Sequence, residues 1–277
     1  MKEIRKHIEN LNLKTRLHGE HESLKDENKF RDIMLSGFDK MESLKDKYKD
    51  RKILVMGLGP SLMDLDKKKY KDFLKIAVND FYRVPNFFNE DFKPDFWCGA
   101  NSYDALKDPY SMCLNEGITA FITIPKKTEF EKLLYEIDHN SINSIPWLWQ
   151  EKIFQKMLAQ KYNLTNAYSR CNTITNHAIA FAIWLGCSEI HVTGFDLSYG
   201  QAYKKTGNTH AGFTTEETMK NKNGHINLVD SFDNLRERKQ ILSDLKYFCK
   251  IAYRNDMRIC NLSHKENKLP YNLSFRK

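Results

Sequence analysis

Residues 52–62 read Lys-Ile-Leu-Val-Met-Gly-Leu-Gly-Pro-Ser-Leu, and this stretch decides the fold. A short apolar run ends in a turn with two glycines, and a polar segment opens at Asp64. This order is typical of a strand, a loop and a helix in a parallel α/β sheet. The stretch therefore predicts the first strand of a Rossmann-like fold, followed by a helix that begins near Asp64.

Other short apolar runs predict the remaining strands, at residues 75–80, 94–102, 118–124, 188–196 and 257–261. Apolar residues recur on one face at 170–186 and again at 231–253, which predicts two helices. Strands that alternate with helices favour a parallel sheet. We predict one Rossmann-like α/β domain over residues 51–277, with a mainly parallel sheet and flanking helices.

Residues 1–50 differ from this domain because they are polar and rich in Lys and Glu. Apolar residues still recur there at helical spacing, at Ile4, Ile8, Leu11, Phe38, Met41 and Leu44. The pattern predicts a helical extension of two or three helices. Such helices pack on their own domain or pair between subunits, and pairing would make the protein a homo-oligomer.

The charge of the chain points to anionic partners. The 277 residues contain 44 Lys+Arg and 36 Asp+Glu, which gives a formal net charge of +8. Nucleic acid, a phosphorylated donor and an acidic membrane surface all suit such a charge. Lys and Arg alternate with Asp and Glu along almost the whole chain, so nucleic acid is the least favoured of the three. No apolar run reaches the roughly 18–20 residues of a membrane span, and the chain opens without the apolar core of a signal peptide. We expect a cytoplasmic protein, and peripheral contact with the inner face of the membrane is a further expectation.

The six cysteines are scattered and include no CxxC pair. Zinc sites and redox motifs need closely spaced thiols, so we expect buried, reduced cysteines and no metal site. No Asp-x-Asp pair comes directly after a predicted strand, which favours chemistry that needs no metal ion.

Polar residues and glycines follow the predicted strands. In an open parallel sheet, ligands bind beyond the carboxyl ends of the strands. Glycines let a backbone approach a phosphate, and Asn side chains both donate to and accept from ribose hydroxyls and base edges. Each Asn also fits a turn or cap, and Asp196 fits either a ligand contact or a cap. The candidate ligand-binding residues are Gly57, Gly59, Pro60, Ser61, Asn79, Asn101, Ser102, Gly194 and Asp196.

Several of these motifs, in one order, resemble a known family. Residues 57–62, 78–82, 99–102 and 188–196 are similar to the corresponding segments of bacterial sialyltransferases of glycosyltransferase family forty-two. The same order occurs in the motility-accessory-factor and hydroxymethylpterin-diphosphokinase-like (MptE-like) proteins. The resemblance covers about residues 50–262.

The resemblance implies a metal-independent glycosyltransferase that moves a sugar from a CMP-linked donor to a glycan acceptor in surface-polysaccharide synthesis, with no cofactor. It implies that Asn79 and Asn101 hold the ribose and base, and that Thr173 lies near the phosphate beside the glycine turn. It places Arg170 opposite an acidic acceptor and makes His225 the catalytic base. Two tyrosines, Tyr199 and Tyr203, would stabilise the departing phosphate.

Two alternatives stay open. Leu58 stands where the sialyltransferases carry an Asn that touches the donor, so a sugar-nucleotide-binding protein without turnover is one alternative. An ATP- and metal-dependent diphosphotransferase of the MptE-like type is the other. His210 competes with His225 for the role of base. Both lie in the long polar segment after residue 198, and residues 208–212 resemble a segment around a histidine of the wider relatives. Lys204 and Lys205 fit either a diphosphate contact or a solvated pair, whereas structural roles are expected for His177 and His191.

Overall fold

The structure is a computed structural model that describes residues 1–10, 27–84, 92–100, 103–124, 144–148, 153–163, 173–195 and 235–262. The helices and strands, in chain order, are α1 (Lys2–Glu9), α2 (Glu27–Leu44), β1 (Lys52–Met56), β2 (Leu74–Val78), β3 (Phe96–Ala100), α3 (Tyr103–Asn115), β4 (Thr119–Ile124), β5 (Ser144–Leu148), α4 (Ile153–Lys161), α5 (Ile174–Trp184), β6 (Glu189–Thr193), α6 (Leu235–Arg254) and β7 (Arg258–Asn261).

The chain forms two compact units. Unit 1 comprises Met1–Lys47 and Phe96–Tyr168, and unit 2 comprises Tyr48–Asp95 and Ser169–Lys277. The helical segment before residue 48 therefore groups with β3, β4 and β5. The domain division at residue 50 stays a prediction.

Unit 2 is built on four strands in the order β2-β1-β6-β7. Each neighbouring pair is parallel, with Ile53 opposite Leu74, Lys52 opposite Glu189, and Glu189 opposite Arg258. Four of the five residues of β1 and all five of β2 are buried. Strands covered on both faces read as continuous apolar runs, which is why β1 is so evident in the sequence.

Unit 1 contains strands in the order β5-β4-β3, again paired in parallel. Strand β5 was not predicted from the sequence. Pro146 lies inside this strand, opposite Ile122. Proline removes a backbone donor and is confined to strands at an edge, so its presence argued against a strand. Taken together, the parallel strands and flanking helices confirm the predicted α/β, Rossmann-like fold class.

The segment after β1 differs from its prediction. Two short 3₁₀ turns, Pro60–Asp64 and Lys67–Tyr70, replace the helix expected near Asp64. Pro60 begins the first turn, and each turn ends within five residues. A 3₁₀ turn of this length has only a weak dipole, so the glycine turn gains little attraction for anions from it.

Helix α5 is also more deeply buried than its pattern suggested. The sequence predicted one apolar face, but every residue from Thr175 to Trp184 is buried. This helix contacts β1, β2, β6 and α6. It is the central helix of unit 2.

The N-terminal helices have their apolar residues covered within unit 1. Ile4 and Ile8 of α1 are buried, as are Phe38 and Met41 of α2. Helix α1 packs against α2 and α4, and α2 packs against β5. This packing accounts for the apolar stripe on which the prediction of pairing between subunits rested. The homo-oligomer itself stays a prediction.

The described cysteines are buried, as the sequence predicted. Cys98, Cys113, Cys187, Cys249 and Cys260 are buried and form no disulfide. In the ranges that the structure describes, no helix has both the length and the apolar character needed to cross a membrane.

The burial of α1 gives a direct stability test. Ile8 is fully buried, so Ile8→Ala should lower the free energy of unfolding by about 2–5 kcal/mol. Urea unfolding measures this loss. Lys6→Ala is the control. Lys6 lies two residues before Ile8 and is exposed, so its loss should change stability by less than about 0.5 kcal/mol. Because Ile8 is covered by its own chain, a loss that varies with protein concentration would contradict this packing.

Candidate nucleotide site at the carboxyl edge of unit 2

The turn after β1 is bound directly to the end of β6. The Gly57 N–H donates to the Thr193 carbonyl at 2.8 Å, and the Gly59 N–H donates to the Gly194 carbonyl at 2.7 Å. The predicted glycine turn and the predicted strand end at Gly194 are therefore brought together, as expected for neighbouring parallel strands.

Only glycine fits at this crossing. A Cβ on Gly57 would lie 2.3 Å from the Gly194 carbonyl oxygen, and a Cβ on Gly194 would lie 2.2 Å from the Gly57 carbonyl oxygen. Gly194 also has a φ of +65°, which side chains rarely adopt. From the sequence, these glycines were expected to let the backbone approach a phosphate. Here they allow two backbone segments to touch.

Ser61 is engaged in the same contact. Its Oγ accepts a hydrogen bond from the Gly194 N–H at 3.0 Å, and its carbonyl accepts one from Thr193 Oγ1 at 3.3 Å. The side chain is buried, with 3% of the residue exposed. Ser61 therefore holds the turn in position. Ligand contacts remain predictions for Ser61, Gly57, Gly59 and Pro60.

Asn79 and Asp80 follow β2 at the same edge. Asn79 is half-buried and has a φ of +42°, a conformation that Asn tolerates better than most residues. Burial raises the pKa of the neighbouring Asp80 carboxyl, and the Arg83 guanidinium partly opposes this increase. The strand thus ends in a polar pair that is partly open to solvent.

Helix α5 begins at this edge as well. Its other end lies beside the amino end of β1, because the Tyr48 N–H donates to the Leu185 carbonyl at 3.0 Å and the Ser188 N–H donates to the Arg51 carbonyl at 3.0 Å. Thr173 caps the first turn through its Oγ1, which accepts from the Asn176 N–H at 3.2 Å. The N-terminus of α5, where the helix dipole favours anions, therefore lies at the carboxyl edge of the sheet.

A buried polar pair near Thr173 was missed by the sequence analysis. Asn176 Nδ2 donates to Asp244 Oδ2 at 3.2 Å, and both residues are almost fully buried. The pair joins α5 to α6. The available signal was one polar residue within each of two otherwise apolar helix faces.

The remaining predicted site residues lie outside the described residues, and their roles stay predictions. They are Asn101, Ser102, Arg170, Asp196, Tyr199, Tyr203, Lys204, Lys205, His210 and His225.

The two histidines expected to be structural are part of unit 2. His191 Nε2 lies 3.2 Å from Glu189 Oε2, and Nδ1 lies 3.5 Å from the Tyr70 hydroxyl. Burial lowers the pKa of His191, although the Glu189 carboxylate partly opposes this effect. His177 is buried in α5. Within the described ranges, no three His, Cys, Asp or Glu residues form a potential metal site.

Comparison with known proteins identifies the family. The model of the 6-hydroxymethylpterin diphosphokinase MptE-like family matches residues 28–202, more than half of the chain. The chain belongs to this family, which confirms the MptE-like resemblance stated from the sequence. Comparison with curated proteins gives no match.

Solved structures show weaker likeness. The sialyltransferase CstII from Campylobacter jejuni, in complex with cytidine-5'-monophosphate, is 18% identical with a TM-score of 0.48, over 79% of this chain and 82% of that one. An α-2,3-sialyltransferase from Campylobacter jejuni is 15% identical with a TM-score of 0.44, over 81% and 80%. The MAf glycosyltransferase from Magnetospirillum magneticum AMB-1 is 15% identical with a TM-score of 0.38, over 81% of this chain and 36% of that one. The family of this chain is identified by the match to the family model and not by these solved structures.

The contact between Gly57 and Gly194 is testable with a matched pair of substitutions. Gly117 has nearly the same φ as Gly194, +68°, but an added Cβ there would meet nothing within 4 Å. Gly117→Ala should cost only the roughly 1–2 kcal/mol of a left-handed conformation. Gly194→Ala should cost about 1–3 kcal/mol more, because the methyl group would overlap the Gly57 backbone. Chemical denaturation of both variants measures the difference, and equal losses would refute the close contact.

Proposed function

We propose that this protein is a glycosyltransferase that moves a sugar from a nucleotide donor to a glycan acceptor in surface-polysaccharide synthesis. The observation that carries the proposal is the arrangement at β1. This strand lies between β2 and β6. The connection from β1 leads to β2 on one side, whereas the connection from β6 leads to β7 on the other, so the two connections run in opposite directions. Such a switch point, at the carboxyl ends of parallel strands, is where open α/β sheets bind ligands.

The polar groups at this edge support a nucleotide as the ligand. Asn79 supplies an amide that both donates and accepts, as ribose hydroxyls and base edges require. The N-terminus of α5 supplies backbone N–H groups and a dipole that favour a phosphate. Thr173, which caps that turn, lies beside the proposed phosphate position. A CMP-linked donor is the finer proposal, and it rests on the resemblance of the motifs around Asn79 and Asn101 to sialyltransferases.

The proposed transfer needs no metal or cofactor. His225 removes the proton from the acceptor hydroxyl, and the acceptor oxygen forms a bond to the sugar. The bond between the sugar and the nucleotide phosphate breaks, and the nucleotide leaves with the electron pair. Tyr199 and Tyr203 donate hydrogen bonds to its phosphate, while Arg170 binds an acidic group of the acceptor.

Two other functions have specific support. The name of the family favours an ATP-dependent diphosphotransferase. Leu58 favours a sugar-nucleotide-binding protein without turnover, because this residue is 9% exposed and offers no polar group to a donor. For any of these functions we propose a cytoplasmic location with peripheral contact at the inner face of the membrane, consistent with the net charge of +8.

A nucleotide panel separates these functions. CMP, CDP, UDP, GDP and ATP, with and without magnesium, are each added at about 100 times an assumed Kd during thermal unfolding. A nucleotide that binds only the folded state should raise Tm by about 5–10 °C. We expect stabilisation by CMP without magnesium. Stabilisation by ATP with magnesium alone would support the diphosphotransferase, and stabilisation by none would refute nucleotide binding.

A pair of Asn variants adds a control to the panel. Asn79→Asp keeps a residue that tolerates the left-handed conformation but removes the amide donor. The rise in Tm that CMP causes should therefore become much smaller. Asn163 also has a positive φ, +49°, and has no predicted ligand role. Asn163→Asp should leave the shift unchanged.

The proposed base is testable by kinetics. General-base assistance contributes about 10²–10⁴-fold in rate, so His225→Ala should reduce kcat by about that factor with little change in donor affinity. His210→Ala is the matched control and should reduce kcat much less. If the two variants exchange phenotypes, His210 is the base. A lower Tm with full turnover per folded molecule would make His225 structural.

A further inference from the structure

We infer that the buried Asn176–Asp244 pair fixes the position of α6 along α5, so that the first two turns of α6 project beyond the carboxyl edge of the sheet and form a wall of the proposed nucleotide site. Only the statement that these turns form a wall of the nucleotide site rests on the proposed function. The position of α6 follows from contacts within unit 2.

The C-terminal ends of the two helices are level. Glu189 of β6 pairs with Arg258 of β7, and the Arg258 N–H donates to the Ser188 carbonyl at 2.8 Å. Helix α5 ends at Trp184, five residues before Glu189, and α6 ends at Arg254, four residues before Arg258. Each helix leads into one of two neighbouring parallel strands. The helices therefore run in the same direction from the carboxyl edge to the amino edge.

The N-terminal ends are not level. Asn176 is the third residue of α5, whereas Asp244 is the tenth residue of α6. Their hydrogen bond at 3.2 Å places these two positions side by side. At 1.5 Å per residue, the seven-residue difference means that α6 begins about 10 Å beyond the start of α5. We call residues 235–241 the overhang.

The overhang lies where the proposed donor would bind. The first turn of α5 and its Thr173 cap mark the proposed phosphate position, and the overhang rises past that turn. Its sequence is Leu-Arg-Glu-Arg-Lys-Gln-Ile, with three basic residues and one acidic residue. This composition suits a phosphate-bearing donor or an acidic acceptor.

A polar pair is suited to fixing this position. Ile241, Leu245 and Phe248 of α6 are buried, and contacts of this kind tolerate a shift of one helix along another because they are not directional. A shift that breaks this hydrogen bond takes the acceptor from the Asn176 amide, which is fully buried, and a buried donor without its acceptor costs free energy. The pair therefore penalises any shift of α6 that separates Asp244 from Asn176, as single buried polar residues do when they fix the register of paired helices.

A reciprocal exchange tests the inference. Asn176→Asp places two carboxylates against each other, and the double variant Asn176→Asp/Asp244→Asn restores one amide–carboxylate hydrogen bond with the roles reversed. In the single variant we expect amide hydrogen exchange of residues 235–241 to accelerate at least about tenfold and the CMP affinity of the folded protein to fall at least about tenfold. The double variant should recover both. Ile251→Val, near the other end of α6, is the control and should lower Tm without either effect.

The two measurements separate the inference from the proposed function. If the single variant lowers Tm but leaves exchange at 235–241 unchanged, the pair does not position the overhang and the inference is wrong. Amide hydrogen exchange at 235–241 could accelerate in the single variant and recover in the double variant while the CMP affinity of the folded protein stays unchanged. In that case the overhang does not form a wall of the site. If the unaltered protein binds no nucleotide while exchange behaves as expected, the proposed function fails and the positioning role stands.

Discussion

The contact between the backbones of Gly57 and Gly194 is the constraint on which unit 2 depends. It joins the loop after β1 to the end of β6, where the connections of the sheet diverge. Two backbone hydrogen bonds and the hydroxyl of Ser61 hold the loop there. A side chain at either glycine would force these loops apart. The loop after β1 and the end of β6 are consequently fixed relative to each other at the edge where a ligand is proposed to bind.

Helix α5 spans unit 2 from one edge of its sheet to the other. Its C-terminus is bound to the amino end of β1 through Tyr48 and Ser188, and its length brings Thr173 to the carboxyl edge. The anion-favouring end of the helix and the polar end of β2 thus belong to one edge. The expected helix after β1 does not form, and the N-terminus of α5 lies at this edge.

Much of this fold could be predicted from sequence, because strands buried on both faces and buried helices leave continuous apolar runs. Strand β1 and helix α5 are such cases. Strand β5 could not be found, since Pro146 contradicts the local pattern and only pairing with β4 explains it. For the site, the glycines and Asn79 were identified by type. The partner of the Ser61 hydroxyl and the pairing of Asn176 with Asp244 depend on contacts between residues 133 and 68 positions apart, which local patterns do not contain.

The central claim is that a nucleotide binds at the carboxyl edge of unit 2 while the β1 and β6 loops stay joined. Crystallography of the protein with CMP tests this claim most directly. We predict that the ribose lies beside Asn79, that the phosphate lies at the first turn of α5, and that the hydrogen bond from the Gly59 N–H to the Gly194 carbonyl is retained. A nucleotide bound at the amino edge near Tyr70, or a complex in which that hydrogen bond is broken, would contradict the account.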